Sequence, residues 1–244
     1  MPAAKLWIIP GSHPCLAVAK ALEMKGIEFT TVDLLPVMHK PVMKVRFGQG
    51  TVPGLELEGE RIVGSRRIMA RLDSLVPEPR LYPEDPDARA TVEAAEAWGD
   101  EVLQAASRRM IWGLFSHAPG AVASYAEDSP LPDALASAVT PAVVATERRI
   151  HGASDDAVRA DFAALPAQLD RIDAWIAEGV LGGDPPNAAD LQIGSSLALL
   201  RSFGDVAPQI DARPLARLAD LFPDYAGHVP AGSLPADWPI AASA

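Results

Sequence analysis

A segment with four prolines, VPEPRLYPEDP at residues 76–86, separates two different hydrophobic patterns in the chain. Because proline lacks a backbone N–H and clashes with the preceding turn, no helix continues through this segment. Short β-branched runs alternate with helical spacing before it, whereas helical spacing alone follows it. The sequence therefore predicts an α/β domain at residues 1–76, a proline-rich linker at residues 77–86 and an all-helical domain at residues 87–244.

The first domain begins with a strand, a tight turn and a helix at residues 5–26. An apolar run at residues 6–9 has the length and β-branching of a buried strand, and a Pro-Gly pair ends it. Apolar residues then recur at helical spacing until Gly26, which is a typical C-terminal stop. Alternating apolar and polar residues predict a second strand at residues 27–33.

The rest of this domain predicts a short irregular helix, a β-hairpin and a third helix. The short helix falls within residues 37–49, and the hairpin spans residues 51–63. Pro53, at the start of the first hairpin strand, suits a special turn or a cis peptide bond. Ser65 is expected to cap the third helix, which ends near Leu75.

The resulting order of elements, β-α-β-α-β-β-α, predicts a mixed four-stranded sheet with helices on its faces. Strands that are connected through a helix are expected to be parallel, with a right-handed crossover. Strands that are joined by a tight turn must be antiparallel. The first domain thus combines both kinds of pairing in one sheet.

Helical spacing predicts five helices in the second domain. Asn187 and Asp190 form the pattern of a capping box, in which each side chain bonds to the other residue's backbone N–H. The tail at residues 223–244 is rich in Pro, Ala and Gly and is expected to lie extended on the surface. The helices are predicted at residues 87–117, 132–151, 154–178, 187–203 and 213–221.

Charge and cysteine content argue against several classes of protein. A net charge of −11 with a pI near 4.8 disfavours nucleic acid or an anionic membrane as a partner, because both attract clustered Lys and Arg. One cysteine cannot form an internal disulfide, and no signal segment or bilayer-length apolar run is evident. The histidines have no spacing typical of a metal site. We expect a cytoplasmic protein.

Three side chains with potential chemistry lie in the turn before the first helix: Ser12, His13 and Cys15. A helix N-terminus presents unpaired N–H groups and the positive end of the helix dipole. The Ser12 hydroxyl can therefore donate to a bound thiolate, and at such a position the pKa of a cysteine thiol such as Cys15 can fall to between about 3.5 and 7.5. The simpler alternatives are that Ser12 only caps the helix, that Cys15 is a small buried residue and that His13 is exposed to solvent.

Five motifs follow one another along the chain: S-x-x-C at the first helix, Val52-Pro53 before the hairpin, GSRRI at residues 64–68, the proline-rich linker, and N-x-x-D at residues 187–190. In this order and spacing they resemble the soluble glutathione transferases. The resemblance implies a thioredoxin-like first domain and a homodimer. It also implies a detoxification enzyme that uses glutathione as a cosubstrate, without a tightly bound cofactor.

Carried over residue by residue, the resemblance assigns roles around the glutathione site. Ser12 takes the catalytic position, and Cys15 takes the place of a resolving cysteine. Val52, which precedes Pro53, offers its backbone N–H and C=O to the cysteinyl part of glutathione as a short antiparallel ladder. Ser65 binds the γ-glutamyl carboxylate with its hydroxyl and the helix N-terminus.

The remaining candidate contacts are arginines and aromatic residues, together with His13 as a base or substrate contact. Arg66 is expected to meet a carboxylate of the ligand or an acidic residue of a partner subunit. Arg108, Trp112 and Phe115 lie on the long helix that faces the first domain, and the two aromatic residues are expected to line an apolar acceptor pocket.

Three functions stay open. The leading hypothesis is conjugation of a thiol, activated by Ser12, to an apolar electrophile. The second is a glutathione-dependent thiol-disulfide reductase in which Cys15 forms the mixed disulfide. The third is a non-catalytic binding or regulatory protein, and Gly64 favours it because relatives usually have an acidic residue there that holds the γ-glutamyl end.

Overall fold

The computed structural model describes residues 4–125 and 133–239. Its strands are β1 (Ala4–Ile8), β2 (Phe29–Asp33), β3 (Gly54–Leu57) and β4 (Glu60–Val63). They form one mixed sheet in the order β2-β1-β3-β4, which confirms the predicted four-stranded sheet. β1 pairs parallel with β2 and antiparallel with β3, and β3 forms a hairpin with β4.

Within the described residues the chain forms eleven α-helices, and a π-helical turn at Gly99–Leu103 joins the fourth to the fifth. The turn lies where α9 approaches closely, because a Cβ on Gly99 would lie 2.8 Å from the side chain of Ile193. The helices are α1 (His13–Met24), α2 (His39–Phe47), α3 (Ser65–Leu75), α4 (Pro86–Trp98), α5 (Gln104–His117), α6 (Ala121–Tyr125), α7 (Asp133–Ile150), α8 (Asp155–Ala177), α9 (Ala188–Arg201), α10 (Ala207–Asp211) and α11 (Ala216–Ala219).

Most helices lie where the sequence predicts them, with three exceptions in the second domain. The short helices α6 and α10 were not predicted, and the helix predicted at residues 213–221 shrinks to α11. At the N-cap of this shorter helix, the N–H of Leu215 donates to the Asp173 carboxylate on α8 at 3.2 Å.

One strand direction differs from the prediction. β2 and β3 are connected through α2, but they are not parallel neighbours, since β3 runs antiparallel to β1. Gly48 ends α2 in the left-handed region with a φ of 77°, which glycine adopts without steric cost. The chain therefore turns back after α2 and enters the sheet from the opposite end.

The central element of the fold is α9, in which every residue from Ala188 to Leu200 is buried. The predicted capping box is confirmed, because the Asp190 N–H donates to Asn187 Oδ1 at 3.1 Å and the Asn187 N–H donates to Asp190 Oδ2 at 2.8 Å. α9 packs against α1 of the first domain and against α4 and α11 of the helical region. One hydrophobic core therefore runs through both parts of the chain.

Residues 223–239 form no helix and add only the isolated bridge between Phe203 and Val229. This part of the predicted extended tail is anchored by Trp238, which is buried and whose ring lies 5.1 Å from that of His117 and 5.7 Å from that of Phe162. Residues 240–244 lie outside the described part of the chain. No helix in the described ranges has the length and hydropathy needed to span a bilayer.

Candidate active site

Three of the predicted glutathione contacts lie at the same edge of the sheet. β1 leads into the turn that carries Ser12, and β3 begins directly after the Val52-Pro53 pair. The Gly64 N–H donates to the Pro53 carbonyl at 3.0 Å, which extends the ladder of the hairpin by one pair. This register places Val52 beside Ser65, at the edge where the turn before α1 also lies.

Ser12 occupies the N-cap position of α1, but its hydroxyl does not cap the helix. Its carbonyl accepts from the N–H groups of Cys15 at 2.9 Å and Leu16 at 3.1 Å, whereas its side chain acts to lower the pKa of the Cys15 thiol. The half-buried hydroxyl is thus not used by the backbone. In a capping role, the Ser12 hydroxyl would have accepted a hydrogen bond from an N–H of the first helical turn.

Cys15 is buried, with 3% of its surface exposed. Burial raises the pKa of the thiol to about 11, and the hydrogen bond from Ser12 and the charge of Arg108 offset only part of this rise. Of the two alternatives for Cys15, the small buried residue is therefore confirmed, and the lowered pKa is not. The helix N-terminus is outweighed because the thiolate has lost its hydration.

His13 is also buried, at 4% exposure, so the alternative of a solvent-exposed loop histidine is wrong. Its Nε2 atom is buried without a hydrogen-bond partner. Burial, followed by the positive charge of Arg108, lowers the pKa of His13 well below its ordinary value. The imidazole is therefore neutral near pH 7.

The Val52-Pro53 peptide bond is cis, as the sequence suggested. Within residues 4–125 and 133–239, neither the N–H nor the C=O of Val52 has a hydrogen-bond partner. Ser65 is the first residue of α3, and the N-cap is Gly64, so the predicted capping role of Ser65 is wrong. Gly64 adopts a φ of 94°, in the region that glycine reaches most easily, and it brings no side chain to the site.

Arg66 follows Ser65 on α3 and faces acidic residues of its own chain. Its guanidinium lies 3.5 Å from Glu101 and 3.9 Å from Glu96. Glu96 is buried and accepts from the Tyr82 hydroxyl at 2.9 Å, and burial raises the pKa of its carboxyl to about 7. The expected acidic partners of Arg66 are thus supplied within the chain.

Helix α5, which was predicted to face the first domain, carries two neighbouring arginines with different surroundings. Arg109 forms a bidentate pair with Asp161, with N–O distances of 2.7 and 2.6 Å. Arg108 is half-buried and forms no hydrogen bond or ion pair with any residue of the described ranges. Burial lowers the pKa of Arg108.

Aromatic rings run from α5 towards the tail. The rings of Trp112 and Phe115 lie 5.6 Å apart, those of Phe115 and Tyr125 5.3 Å, and those of Tyr125 and Tyr225 6.3 Å. The Tyr125 hydroxyl bonds to Ser202 at 2.5 Å, whereas the Tyr225 hydroxyl is buried without a partner. Tyr225 lies in the tail, where the sequence carried no periodic signal.

A cavity of about 300 Å³ lies where these rings meet the turn before α1. Trp112 and Phe115 do not line this cavity, and Phe115 lies behind Tyr125; their role in an acceptor pocket stays a prediction. The lining residues are Ile9, Pro10, Gly11, Leu16, Asp33, Leu34, Leu35, Pro36, Tyr125, Pro223, Asp224, Tyr225, Ala226 and Gly227.

Glu147 on α7 was not predicted from the sequence as a site residue. It holds the loop that forms one wall of this cavity. Its buried carboxylate accepts from the Val37 N–H at 2.9 Å and lies 3.1 Å from Nε2 of His151. The preceding residues of the loop, Leu35 and Pro36, line the cavity. A single glutamate on a helix gives no sequence signal for such a contact.

Known proteins agree with this fold. Residues 6–80 match the family model of the glutathione S-transferase N-terminal domain. A comparison with curated protein sequences finds no match.

Solved structures extend the similarity along the chain. The β-etherase LigF from a Sphingobium species has a TM-score of 0.62 and 21% identity, over 89% of this chain and 99% of that one. A glutathione S-transferase from Rhodospirillum rubrum has a TM-score of 0.64 and 18% identity, over 99% and 93%. A theta class glutathione S-transferase from Xanthomonas axonopodis with glutathione bound has a TM-score of 0.58 and 19% identity, over 89% and 96%. Residues 6–80 therefore match the glutathione S-transferase N-terminal domain, and the chain as a whole shares the fold of these solved structures.

Proposed function

We propose that the protein is a glutathione transferase-like enzyme that conjugates a thiol, glutathione, to an apolar electrophile. The observation that carries this proposal is the convergence at one sheet edge of the Ser12 hydroxyl, the unbonded backbone of Val52 and the N-terminus of α3 at Ser65. These groups match a tripeptide with a reactive thiol in its middle residue. The glutathione-bound Xanthomonas relative supports this choice of thiol.

Ser12 activates the thiol in this proposal. Its hydroxyl is free of any capping bond and lies at the positive end of α1, so it can leave the Cys15 thiol and donate to a glutathione thiolate. A hydrogen bond to the charged form favours that form and lowers the pKa of the thiol. The thiolate is the nucleophile that attacks the electrophile.

The rest of glutathione is held by backbone and helix termini. Val52 offers an unbonded N–H and C=O beside the cis Pro53, which suits a short antiparallel ladder with the cysteinyl residue. Ser65 and the first N–H groups of α3 bind the γ-glutamyl carboxylate. Arg66 is the nearest cation on the same helix.

The electrophile occupies the cavity of about 300 Å³ beside Gly11, whose walls are mostly apolar. Its volume is at the lower end of small-molecule sites, which suits a molecule of one or two rings. Trp112 and Phe115 support this wall from behind through their ring contacts. His13 and Arg108 lie at the start of α1 and α5 as substrate contacts. A cytoplasmic homodimer with a role in detoxification stays a prediction from the sequence.

Cys15 is the alternative active residue, and burial argues against it. A thiol that is 3% exposed, with a pKa of about 11, is a poor nucleophile for a mixed disulfide near neutral pH. The non-catalytic alternative rests on Gly64, which has no side chain to hold the γ-glutamyl end. It is tested by the same experiment as the proposal.

Calorimetric titration with glutathione, followed by assays on a panel of electrophiles, tests the proposal. We expect glutathione to bind and Ser12→Ala to lower kcat/KM about tenfold to a hundredfold, since it loses a hydrogen bond to a charged group. Ser116→Ala is the matched control, because that exposed hydroxyl bonds only to a carbonyl of its own helix, Gly113. Absence of glutathione binding, or turnover that Ser12→Ala leaves unchanged, would overturn the proposal.

A further inference from the structure

The loop between β2 and α2 forms one wall of the cavity and contains a strained turn. Leu34, Leu35 and Pro36 line the cavity, and Val37 follows them. Val37 adopts a φ of 65°, in the left-handed region that β-branched residues rarely occupy. The Met38 N–H donates to the Pro36 carbonyl at 2.7 Å, and a three-residue turn of this kind with a positive φ at its centre is rare and strained. Such a conformation persists only where the surrounding structure holds it.

The contact that holds Val37 comes from the second domain. Its N–H donates to Oε1 of Glu147 on α7 at 2.9 Å, and it has no other acceptor in the part of the chain that the structure describes. Glu147 is 2% exposed, and Oε2 of its carboxylate lies 3.1 Å from Nε2 of His151. Both carboxylate oxygens are therefore engaged, which fixes the direction in which Glu147 presents its acceptor.

The helix that carries Glu147 is itself held in place. α7 packs against α5, and Val144, one turn before Glu147, is buried. At the end of α7, Arg148 donates to the Ala153 carbonyl at 3.0 Å and pairs with Asp155 at 2.6 Å. These contacts connect α7 to the start of α8. Glu147 thus holds the loop from a fixed position.

The other end of the loop is fixed by the sheet. The Leu34 N–H donates to the Ile8 carbonyl at 2.8 Å, which continues the pairing of β1 with β2 by one residue. Leu35 and Pro36 lie between this end and the contact with Glu147, and their carbonyl groups accept from N–H groups of the same turn. The apolar wall is therefore held at both ends, once by the first domain and once by the second.

We propose that Glu147 determines which acceptors fit, because its bond to Val37 keeps the apolar wall of the cavity in one position. Glu147 does not line the cavity, so it is a positioning residue that acts through the loop. A wall that is fixed before binding needs no ordering when a fitting acceptor enters. A wall that moves binds this acceptor less well and admits larger ones. The inference rests on the proposed conjugation and adds its determinant of acceptor size.

Hydrogen exchange of the Val37 amide, followed by NMR, tests the first step without any substrate. We expect this amide to exchange at least about tenfold faster in Glu147→Ala than in the wild type, because it loses its acceptor. Glu147→Gln keeps an oxygen acceptor and should exchange nearly as slowly as the wild type. This variant separates position from charge, since both variants remove the charge that acts on His39 and Arg108. Unchanged exchange in Glu147→Ala would overturn the inference.

The kinetic test uses two acceptors with the same reacting group, benzyl isothiocyanate and the larger anthracenylmethyl isothiocyanate, with glutathione as the thiol. We expect the wild type to prefer the benzyl compound, and Glu147→Ala to lower the ratio of the two kcat/KM values at least about threefold to tenfold. The change should lie in the KM of the acceptors and leave the Kd of glutathione unchanged. Glu147→Gln should keep most of the wild-type ratio.

A second substitution in the loop tests whether the strain at Val37 matters. Asparagine enters the left-handed region more easily than valine does. Val37→Asn in the Glu147→Ala background should therefore restore part of the lost preference. If Glu147→Ala does not fold, Glu147→Met fills the same buried space without an oxygen acceptor, and the same results are expected of it.

Asp85→Ala is the matched control, since the Asp85 carboxylate also accepts from a backbone N–H, that of Ala88, at 2.9 Å and does not line the cavity. It should leave the Val37 exchange and the ratio of the two acceptors unchanged. A ratio that Glu147→Ala also leaves unchanged would overturn the inference while the proposed function stands. Absence of glutathione binding to the wild type would overturn the proposed function instead.

A binding experiment tests the wall even without turnover. Anthracenemethanol has the rings of the larger acceptor but no reacting group, and its fluorescence reports binding. We expect Glu147→Ala to bind it at least about threefold more tightly than the wild type or Asp85→Ala does. Equal affinities of the wild type and Glu147→Ala would overturn the inference, whatever the conjugation assays give.

Discussion

Alkylation of Cys15 measures directly whether burial or the helix N-terminus controls this thiol. Cys15 is the only cysteine of the chain, so a single modified mass reports on it. With a pKa of about 11, roughly one thiol in a thousand is ionised at about pH 8. A free cysteine with a pKa of about 8.5 is ionised to about a quarter at the same pH. We therefore expect alkylation about 200-fold slower than for a free cysteine, and slower still because access is restricted.

The assay is a time course with iodoacetamide, followed by mass spectrometry, from about pH 7 to about pH 11. The native rate should rise roughly tenfold for each pH unit across most of this range, because the thiolate is the reacting species. The same protein in denaturing urea should react at the rate of a free cysteine. Ser12→Ala should slow the native reaction further, since the Ser12 hydroxyl is one of the groups that lower the Cys15 pKa.

A native rate that levels off below about pH 8.5, close to the rate in urea, would refute this reasoning. It would mean that the first turn of α1 stabilises the thiolate more than burial disfavours it. The reductase hypothesis would then regain its place, because Cys15 would be both ionised and accessible.

Three further outcomes follow from buried groups outside the thiol site. Because the folded pKa of Glu96 is raised to about 7, the stability gained from its protonated form is present below about pH 4.5 and lost as the pH rises through 7. Urea titrations across this range should show that the free energy of unfolding falls by about 3 kcal/mol, and Glu96→Gln should abolish this fall. Glu147→Ala leaves the part-buried Val37 N–H without its acceptor and should lower the free energy of unfolding by about 1–3 kcal/mol, whereas Glu147→Gln, which keeps an acceptor, should lose less. Gly194→Ala would place a Cβ 2.4 Å from the Leu218 carbonyl and should lower the melting temperature through about 1–3 kcal/mol of overpacking.

The sheet and the buried helix could be predicted because their signals are local. β1, the hairpin and the capping box of α9 follow from β-branching, a positive-φ turn and an Asn-x-x-Asp pattern, each of which lies within a few residues. The predicted direction of β3 was wrong, because that direction depends on how the chain leaves α2 at Gly48. Hydrophobic periodicity carries no information about the path of the chain through this turn. The predicted length of the helix near Leu215 was also wrong, and the contact of the Leu215 N–H with Asp173 on α8 is a tertiary one that local periodicity does not reveal.

The candidate site was predictable only in its first-domain half. The resemblance assigned Ser12, Val52 and Ser65 to the site, but their convergence depends on β3 running antiparallel to β1, which the order of elements did not predict. Tyr225 and Glu147 come from the tail and from α7, where each is a lone residue without a pattern. Their contacts exist only because the helical region packs over the turn before α1, and single-sequence reasoning has no access to that packing.

The structure also explains why Ser12, rather than Cys15, is the better candidate for the active residue in the turn before α1. Ser12 and Cys15 are about equally close to the positive end of α1, so the helix dipole does not distinguish them. Burial does, because Cys15 is buried inside the first turn, while Ser12 stays outside the helix and half-buried. A hydroxyl needs no ionisation to stabilise a thiolate, whereas a thiol needs it to act as a nucleophile. The same desolvation that disables Cys15 therefore leaves Ser12 competent.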